Sequence, residues 1–483
     1  MRVLFAASEA APIARVGGLA GAAAGLVRAL RDDPSVELTL VLPDYGGVVL
    51  EDEVTSPLEV PDWVGEASVR RGVAPELGPV DLVDVPGMAR SNPYVGPDGI
   101  GWPDNDRRFF GFSAAIAAMA NTGSFDIVHL NDWHTAVALA MTDLASVFTI
   151  HTLSYQGRAN HNWLDFIGGD RIDSFDRRDH LNPIAGAIDL ADAVVAVSPS
   201  YAEEIRRPYR GEGLHQDLLA RGSELVGICN GIDTDLWYPT TDPHLVANYG
   251  RSNLEKKVVN TDHLRELAGW SGSDDLVLGM VTRMVDQKGI DLAISLLPYL
   301  EHLGVRLFLL GSGEERLARW AREVAAENSE RFHYVEAYDV GLAHQIFAGA
   351  DFLLMPSRFE PCGLAQMQAM SYGTIPIVTP VGGLLDTVAD ADVYPDLGNG
   401  FIAKTIDVAG IVDALHRAAA AGRVTRRRRE IQKRGMMVDW SWEEPKEQFL
   451  NLYRSVLERT EGCLLYTSPS PRDLSTSRMP SSA

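Results

Sequence analysis

The sequence predicts an α/β protein in which two Rossmann-like domains, each a doubly wound parallel sheet, face each other across a cleft. Short apolar runs recur along the 483 residues, and helix-like stretches follow them. This alternation is typical of βα units on a parallel sheet. The chain is also longer than a single domain usually is, and its periodicity breaks near the middle, at residues 230–242. We therefore expect two domains of similar size.

The predicted strands are short runs rich in Val, Ile, Leu and Phe, each bounded by Gly, Ser or polar residues. In the first half they are residues 3–7, 38–42, 127–130, 147–151, 193–198 and 225–229. In the second half they are residues 276–282, 306–310, 333–336, 352–355 and 375–379. The predicted domains are accordingly residues 1–240 and 241–440.

The C-terminal part of the chain contains one amphipathic helix and a tail of different composition. Apolar residues fall on one helical face at Phe449, Leu452, Tyr453, Val456 and Leu457, so a helix over about 441–460 must dock on another element. Residues 464–483 are dominated by Ser, Thr and Pro. That composition predicts disorder and looks like vector or read-through sequence, so we assign the tail no function.

The charge and cysteine content exclude several classes of function. There are 43 Lys and Arg against 66 Asp and Glu, a formal charge of −23, which repels nucleic acid and anionic membranes. Three scattered cysteines are too few for a disulfide framework. No apolar run reaches the roughly 20 residues of a membrane helix, and no signal-peptide core is present. We expect a cytoplasmic protein without nucleic-acid or membrane partners.

The common catalytic motifs are missing from this sequence. It contains no complete GxGxxG, GxxxxGK[ST], HExxH or GxSxG, which removes direct support for a dehydrogenase, P-loop enzyme, zincin or serine hydrolase. Asp-x-Asp pairs occur at 104/106, 233/235 and 390/392, but such pairs arise by chance in so acidic a chain. We predict no metal site.

Two glycine pairs follow predicted strands and open helices, one in each half. Gly17 and Gly18 follow Arg15, and Gly382 and Gly383 repeat the arrangement in the second half. Backbone amides at the start of a helix favour an anion, and phosphate fits there. A turn that needs positive φ would also explain the glycines. Two such loops, one per domain, suggest one ligand held across a cleft.

Two further loops of the second half carry charged groups. Arg283 and Lys288 follow an apolar strand, where an anion site and an ordinary solvated loop are both possible. Glu360 lies in the proline-bounded segment 356–364, where its carboxylate could hold sugar hydroxyls or cap the next helix. Cys362, in the same segment, is more typical of a packed thiol than of a nucleophile.

Histidine, aspartate and aromatic residues lie together after two strands of the first half. Segment 129–134 reads HLNDWH and contains Asp132, and segment 150–157 reads IHTLSYQG and contains His151. Polar groups beside aromatic faces are typical of carbohydrate sites. Each histidine taken singly also fits a structural role.

Taken in order, these segments resemble the bacterial glycogen synthase and plant starch synthase family, retaining glycosyltransferases of the GT-B fold. The resemblance runs from residue 1 to about 457. Its motifs here are the basic residue with Gly-Gly-Leu, His-x-x-Asp-Trp-His, Ile-His-x-x-x-Tyr-Gln-Gly, Val-Ser-Pro-x-Tyr, Asn-Gly-Ile-Asp, Gln-Lys-Gly, Pro-Ser-Arg-Phe-Glu-Pro-Cys-Gly-Leu and the second Gly-Gly-Leu. Asp-Trp-Ser-Trp at 439–442 and the helix after it also match; in this family that helix crosses back to the first domain.

The resemblance implies transfer of glucose from ADP-glucose to the non-reducing 4-hydroxyl of an α-1,4-glucan, with retention and with no metal or other cofactor. Its implied catalytic residues are Arg283 and Lys288 at the diphosphate, Glu360 at the donor glucose, and His151 and Asp132 at the reaction centre. Its implied substrate-binding residues are Arg15, Gly17, Gly18, Tyr155, Gln156, Cys362, Gly363, Leu364, Gly382 and Gly383. Arg15 would reach the diphosphate from the other domain, and Gly382 and Gly383 would supply backbone donors.

Four positions depart from the family pattern and keep alternatives open. Arg15 stands where Lys is usual, Gly21 where Asp is usual, Thr152 where Asn is usual and Ala185 where Lys is usual. Arg15 keeps the charge but not the geometry of a lysine, and the other changes remove polar groups near the expected sugar site. The alternatives are a transferase with another nucleotide-sugar donor or a small acceptor, and a weakly active glucan-binding or regulatory relative.

Overall fold

A computed structural model describes residues 1–96 and 99–467, with side chains described up to residue 460. Within these residues the chain forms two α/β domains joined by a linker and by a returning C-terminal helix. Each domain is built around a largely parallel sheet covered by helices on both faces. The predicted fold class is confirmed.

The first domain contains a nine-stranded sheet and a two-stranded ribbon among the described residues. Its strands are β1 (Arg2–Ala6), β2 (Glu37–Pro43), β3 (Glu51–Pro57), β4 (Ser68–Ala74), β5 (Gly78–Asp84), β6 (Ile127–Asn131), β7 (Ser146–Ile150), β8 (Ala159–Asn160), β9 (His180–Leu181), β10 (Ala193–Ala196) and β11 (Leu225–Gly227). The order in the sheet is β11-β10-β7-β6-β1-β2-β5-β4-β3, and β8 pairs with β9. Strands β11 to β5 run parallel, whereas β4 and β3 pair antiparallel at one edge.

The helices of the first domain pack against this sheet. They are α1 (Gly18–Arg31), α2 (Asn105–Thr122), α3 (Trp133–Ala136), α4 (Trp163–Ile167), α5 (Pro183–Leu190), α6 (Pro199–Ile205) and α7 (His215–Ala220). Two of them begin with a proline after a capping side chain, Asn182 for α5 and Ser198 for α6, which accepts an amide of the first turn. Proline suits this first position because its missing N–H would be unpaired there anyway. The loop before α6 is therefore firmly shaped.

The second domain contains a six-stranded parallel sheet among the described residues, in the order β14-β13-β12-β15-β16-β17. These strands are β12 (Leu276–Val281), β13 (Val305–Leu310), β14 (Phe332–Val335), β15 (Phe352–Met355), β16 (Ile375–Val378) and β17 (Phe401–Ile402). Its helices are α8 (Lys257–Leu267), α9 (Ile290–Ile294), α10 (Leu297–Leu303), α11 (Glu315–Glu327), α12 (Val340–Gly349), α13 (Ala365–Ser371), α14 (Gly382–Thr387), α15 (Val408–Arg423) and α16 (Thr425–Gly435).

Each apolar run predicted to be a strand is a strand of one of the two sheets, with ends that shift by one or two residues. Strands β3, β4, β5 and β17 and the ribbon strands β8 and β9 were not predicted. Almost every residue of β3 is exposed, so this edge strand has no apolar run to reveal it. Within the described part of the chain, no helix combines the length and hydropathy that crossing a bilayer requires.

The last helix, α17 (Glu443–Thr467), returns to the first domain as the sequence predicted. Phe449, Tyr453 and Val456 are buried there, and the Tyr453 hydroxyl lies 2.6 Å from His129 Nδ1 of β6. A Cβ at Gly25 would lie 2.0 Å from Trp442 Nε1. The glycine in the middle of α1 is thus explained by the close approach of the returning chain.

The helix α17 extends further than predicted. The tail was expected to be disordered from residue 464, yet the helix continues to Thr467. Residues 464–467 contain no glycine or proline, so nothing in these residues interrupts the helix. The rest of the predicted tail, 468–483, lies outside the described residues.

Two chain segments cross side by side between the domains. The backbone N–H of Ile232, in the linker, donates to the carbonyl of Trp440, 2.8 Å away. A Cβ at Gly231 would lie 2.6 Å from the carbonyl oxygen of Ser441. The outgoing and returning segments are therefore in direct contact where the domains meet.

Candidate functional site

The charged residues predicted in the second domain lie at the carboxyl ends of its parallel strands. Arg283 and Lys288 follow β12, and Glu360 follows β15, the strand next to it. Gly382 opens α14 after β16, the next strand along. Because the carboxyl ends of parallel strands share an edge, these loops lie together, where ligands bind in open α/β sheets.

Lys288 and Glu360 form an ion pair at this edge. The Lys288 Nζ lies 2.6 Å from Glu360 Oε2, and the two side chains are 17% and 7% exposed. The Ser357 hydroxyl donates to the same carboxylate oxygen, at 3.0 Å. Glu360 Oε1 accepts no hydrogen bond within the described ranges, which leaves it free for a ligand hydroxyl. The carboxylate is thus held at one oxygen and available at the other.

The two loops that carry this pair are bonded to each other. Gln287 Nε2 donates to the carbonyl of Phe359 at 3.0 Å, and the Arg358 amide donates to the carbonyl of Gln287 at 2.8 Å. A Cβ at Gly289 would lie 2.1 Å from the carbonyl oxygen of Pro356. Close contact of the two backbones explains the glycine after Lys288, and it fixes Lys288 relative to Glu360.

Arg283 lies in the loop after β12 that also carries Lys288. Its side chain is exposed, and it has no hydrogen-bond or ion-pair partner in the part of the chain that the structure describes. In a protein with a formal charge of −23, acidic partners are abundant. An unpaired guanidinium at the carboxyl edge of the sheet therefore fits an anionic ligand better than a structural ion pair.

The amides of the second glycine pair both donate to protein groups in this structure, and their role as backbone donors to a ligand stays a prediction. The Gly382 amide donates to Glu204 Oε1 of the first domain at 2.8 Å, and the Gly383 amide donates to the carbonyl of Glu360 at 3.0 Å. A Cβ at Gly382 would lie 2.1 Å from the Glu360 carbonyl oxygen, and φ of Gly382 is +40°. The glycines let this loop press against the segment that carries Glu360.

The first glycine pair also has an internal carboxylate. Glu9 Oε2 accepts the amides of Val16 at 2.6 Å and of Gly17 at 3.0 Å. Glu9 is 3% exposed, and its other oxygen accepts the hydroxyl of Tyr94 at 2.6 Å. The amide of Gly17 is therefore not available to the phosphate predicted there. No atom lies within 4 Å of a Cβ built at Gly18, so the loop is open at that residue.

Arg15 and α1 reach the second domain across the cleft. The Arg15 guanidinium carbon lies 6.0 Å from the ring centre of Tyr338, a residue that follows β14. A Cβ at Gly21 would lie 4.0 Å from Leu364 Cδ1 of the second domain. The start of α1 thus faces the carboxyl edge of the second sheet. Arg15 is placed at the same edge as Arg283 and Lys288.

Asp132 and His151 lie together at the carboxyl ends of β6 and β7, two neighbouring strands of the first sheet. Asp132 follows β6 with φ of +54°, and its Oδ1 accepts the amide of His151 at 2.8 Å. His151 Nε2 lies 2.9 Å from Asn131 Oδ1, and Asn131 Nδ2 donates to the carbonyl of Ala6 at 3.0 Å. The amide oxygen of Asn131 can only accept, so Nε2 of His151 carries the proton. Nδ1 of His151 is then an acceptor.

Burial shifts the protonation of both groups away from their ordinary charge. Burial raises the pKa of Asp132 to about 7, with a smaller contribution from Glu9, although the amides of His151 and Thr152 oppose it. Burial lowers the pKa of His151 to about 3. The imidazole is therefore neutral near pH 7. A neutral acceptor and a carboxyl close to half ionisation lie together at this edge.

Two predicted substrate-binding residues of the first domain differ in their surroundings. Tyr155 is exposed. Gln156 is buried, and its amide bonds to the carbonyls of Leu153 and Glu212 and to the side chains of Arg158 and Asn182. All of these groups belong to the protein, so Gln156 stabilises its loop. Its implied role as a substrate-binding side chain stays a prediction.

The segment after Glu360 is shaped by its own backbone. Cys362 is buried, and burial raises the pKa of its thiol, which makes it unsuited to act as a nucleophile. Gly363 has φ of +75°, a conformation that favours glycine. The Gln366 side chain donates to the carbonyls of Cys362 and Gly363. Leu364 is half-buried and faces α1 across the cleft.

Four residues near the site were not among the predicted site residues. Glu9 and Tyr94 support the first glycine loop, and Ser198 and Glu204 contact the second domain. The signal for Glu9 was present, since it is an acidic residue shortly after a buried strand. Glu204 lies in a different domain from its partner, and no local pattern indicates that contact.

The acidic pairs considered as metal ligands have other partners. Asp390 and Asp392 both contact Arg417, and Asp104 contacts Arg90. Among the residues described here, no three His, Cys, Asp or Glu side chains are grouped so as to hold a metal ion.

Two of the departures from the family pattern differ in what they can affect. Ala185 is fully buried in the core of the first domain, so its side chain does not line the cleft. Gly21 lies on α1 opposite Leu364 of the second domain. An aspartate at that position would point a carboxylate toward the cleft, which this chain lacks. Of these two departures, the one at Gly21 therefore changes a position that faces the second domain.

Two family models match the chain in succession. The model described as starch synthase catalytic domain matches residues 2–220, and the one described as glycosyl transferases group 1 matches residues 270–436. The first range contains Arg15, Asp132 and His151. The second contains Arg283 and Glu360.

Relatives and a solved structure match nearly the whole chain. A glycogen synthase from Halorhodospira halophila is 40% identical over 474 residues, which cover 95% of this chain and 99% of the relative. One from Alkalilimnicola ehrlichii is 38% identical over 477 residues, 94% of this chain and 99% of the relative. The catalytic domain of starch synthase IV from Arabidopsis thaliana, bound to ADP and acarbose, has a TM-score of 0.85 at 31% identity, covering 95% of this chain and 99% of that one.

Proposed function

The chain belongs to the family of bacterial glycogen synthases and plant starch synthases, and on this premise we propose that it transfers glucose from ADP-glucose to the non-reducing 4-hydroxyl of an α-1,4-glucan. Configuration at the transferred carbon is retained. The observation that carries the proposal is the Lys288–Glu360 pair, 2.6 Å apart, together with the exposed guanidinium of Arg283 in the same loop as Lys288. It supplies positive charge and a fixed carboxylate at one edge of the cleft.

The departing group explains the need for cations. The bond that breaks joins glucose to a diphosphate, whose negative charge grows as it leaves. Fixed cations stabilise this charge best when they are already in place, because no reorganisation is then needed in the transition state. We assign this role to Arg283 and Lys288, with Arg15 reaching the diphosphate from the first domain. These side chains take the place of a divalent ion, and no cofactor beyond the donor is proposed.

Glu360 orients the donor glucose in this proposal. Its Oε2 is held by Lys288 and Ser357, so the carboxylate has a defined position. Its Oε1 is left to accept a sugar hydroxyl. A carboxylate fixed in this way loses little entropy when the sugar binds, which favours one orientation of the ring.

His151 and Asp132 line the reaction centre from the other domain. The neutral His151 ring presents an acceptor at Nδ1, because Nε2 donates to Asn131. It can therefore hold a hydroxyl of the transferred glucose without adding positive charge there. Asp132 holds the backbone of His151 through the 2.8 Å bond from its amide. Closure of the cleft over these groups excludes water that would otherwise hydrolyse the donor.

Incubation with labelled ADP-glucose, UDP-glucose and GDP-glucose, each with glycogen and without added metal, tests the proposal. We expect incorporation from ADP-glucose. Preference for another donor would support the alternative transferase, and glycogen binding without turnover would support a regulatory relative. Both outcomes contradict the proposal.

Single substitutions test the assigned residues. Lys288→Ala or Glu360→Ala should lower transfer at least about a hundredfold, the typical loss when one preorganised group is removed. Lys404→Ala is the matched control, because Lys404 is an exposed lysine of the same domain that contacts Asp413. Unchanged turnover in either site variant would refute the assignment, provided that circular dichroism shows an intact fold.

A further inference from the structure

Three residues, from the N-cap of α6 to its last turn, bond across to segments of the second domain near Glu360. The Ser198 hydroxyl donates to the carbonyl of Pro361 at 2.6 Å. Ser200 bonds to Asp386 through its amide at 2.9 Å and its hydroxyl at 2.7 Å. Glu204 Oε1 accepts the Gly382 amide at 2.8 Å. The short helix α6 of the first domain therefore contacts both the loop that carries Glu360 and the helix α14 packed against that loop.

The contact of Glu204 connects directly to Glu360. Gly382 packs directly against the Glu360 backbone, because a Cβ there would lie 2.1 Å from the Glu360 carbonyl oxygen. The next amide, of Gly383, donates to that same carbonyl at 3.0 Å. The Glu360 carboxylate then bonds to Lys288. A continuous set of bonds thus runs from the first domain to the ion pair of the second.

Among the described residues, the amide of Gly382 donates to Glu204 and has no partner within the second domain. Val381, which precedes α14, makes no side-chain capping bond. If the domains separated along this contact, the Gly382 amide and the Glu204 oxygen would both lose their partner. Glu204 Oε2 is already buried with no hydrogen-bond partner among the described residues. The carboxylate is therefore committed to this one bond.

We propose that Glu204 is a positioning residue that sets the place of Glu360 when the two domains are closed, by holding the Gly382–Gly383 backbone against the Glu360 segment. This inference rests on the proposed function, since Glu360 is the residue it positions. Glu204 itself touches no reacting atom. The consequence is that Glu360 reaches its working position through a contact made by the opposite domain, so that closure and donor orientation occur together.

Steady-state kinetics of full-length variants test this role. Glu204→Ala should lower kcat for glucan synthesis about tenfold while KM for glycogen stays unchanged, because an amide bonded to a carboxylate loses its partner. Glu204→Gln keeps an acceptor oxygen and should retain kcat within about twofold. A residue that merely stabilised the fold would change the melting temperature without this split. Glu203→Ala is the matched control, since Glu203 is the exposed neighbour that contacts Arg206.

Hydrogen exchange supplies a readout that does not depend on activity. The peptide covering residues 380–388 should exchange faster in Glu204→Ala than in the wild type or in Glu203→Ala. Unchanged exchange, wild-type kcat in Glu204→Ala, or a Glu204→Gln variant as impaired as the alanine variant would each overturn the inference.

A second variant and the activity of the wild type distinguish failure of this inference from misfolding and from failure of the proposed function. If Glu204→Ala does not fold, Glu204→Asp takes its place, since it withdraws the carboxylate by one methylene, and wild-type kcat in it overturns the inference. If the wild type transfers glucose from no donor, the proposed function fails, and the exchange measurement still decides whether Glu204 holds the loop. If the wild type is active and Glu204→Ala matches it, the inference alone fails.

Discussion

The two Gly-Gly-Leu loops have the same sequence pattern but different physical settings. Each follows a parallel strand, opens a helix and has an amide bonded to a glutamate. In the first loop the glutamate is Glu9, seven or eight residues earlier in the same domain. In the second it is Glu204, which lies 178 residues away in the other domain. The same need of helix-starting amides for negative charge is met locally in one loop and across the cleft in the other.

The two loops also differ in the space around their glycines. A Cβ at Gly17 has Glu9 Oε1 at 4.0 Å as its nearest neighbour, and one at Gly18 has nothing within 4 Å. Cβ atoms at Gly382 and Gly383 would lie 2.1 and 2.2 Å from backbone oxygens. The first loop is therefore stabilised within its own domain and has open space at Gly18. The second loop is tightly packed against neighbouring backbone segments. A shared motif does not imply a shared role.

The largest effect should come from adding a methyl group to the second loop. Gly382→Ala would place a Cβ 2.1 Å from the Glu360 carbonyl oxygen at a φ of +40°, so the Glu360 segment must move. We expect transfer to fall about a hundredfold, or about 2.7 kcal/mol of barrier. Turnover with ADP-glucose and glycogen measures it.

Gly18→Ala is the matched control in the first loop. Open space at that Cβ predicts an unfolding free energy within about 0.5 kcal/mol of the wild type. Loss of turnover in this stable variant would identify the space as ligand space. Equal loss of stability in the two alanine variants would contradict the distinction between the loops.

A smaller effect, on stability, should follow from removing the carboxylate of the first loop. Glu9→Ala takes the carboxylate acceptor away from the part-buried amide bonds of Val16 and Gly17 and removes one partner of Tyr94. We expect a loss of about 2 kcal/mol in unfolding free energy, measured by urea denaturation. Glu204→Ala should lose less, because its bond joins two domains. The reverse order of the two losses would show that the loops are supported in the opposite way.

A further effect, which depends on pH, concerns Asp132, which lies near Glu9 in the first domain. Because burial raises its pKa to about 7 from 3.8, the folded protein keeps a proton between about pH 4 and 7 that the unfolded chain releases. Rising pH in this window therefore favours unfolding through this group. Asp132→Asn removes the titration and keeps an acceptor for the His151 amide.

The unfolding free energy of Asp132→Asn relative to the wild type should rise with pH across that window, by at most about 1.4 kcal/mol per pH unit. His129, His134 and His151 have pKa values lowered by burial to about 3 and titrate with the opposite sign. They are common to both proteins and cancel in the difference. A difference that stays flat from pH 4 to 7 would contradict the buried, protonated carboxyl.

Much of the fold could be predicted because buried parallel strands are nearly continuous apolar runs. Strands such as β7 and β15 are buried at every residue, and both were predicted. Strand β3 was missed because its residues are exposed and acidic, and pairing with β4 is what makes it a strand. The extent of α17 was underestimated. The change of composition at residue 464 predicted disorder, but residues 464–467 belong to the helix.

The site was predicted less evenly than the fold. Lys288 and Glu360 lie together, as loops after neighbouring strands should. The amides of Gly17, Gly382 and Gly383 and the side chain of Gln156 have protein partners in place of the ligand expected from the motifs. A motif records which residue type a backbone geometry needs, and it does not record whether a ligand or a protein group occupies the position.

The sequence by itself determined the strand and helix order, the family resemblance and the loops that carry charge, because these depend on local pattern and on the order of parallel strands. The tertiary structure decided which groups face which. Glu9 closes the first loop, Glu204 bridges the cleft, and burial sets the charge of Asp132 and His151. These features depend on distances between segments far apart in the chain and on exclusion of water. Both arise only when the chain folds and the two domains pack together.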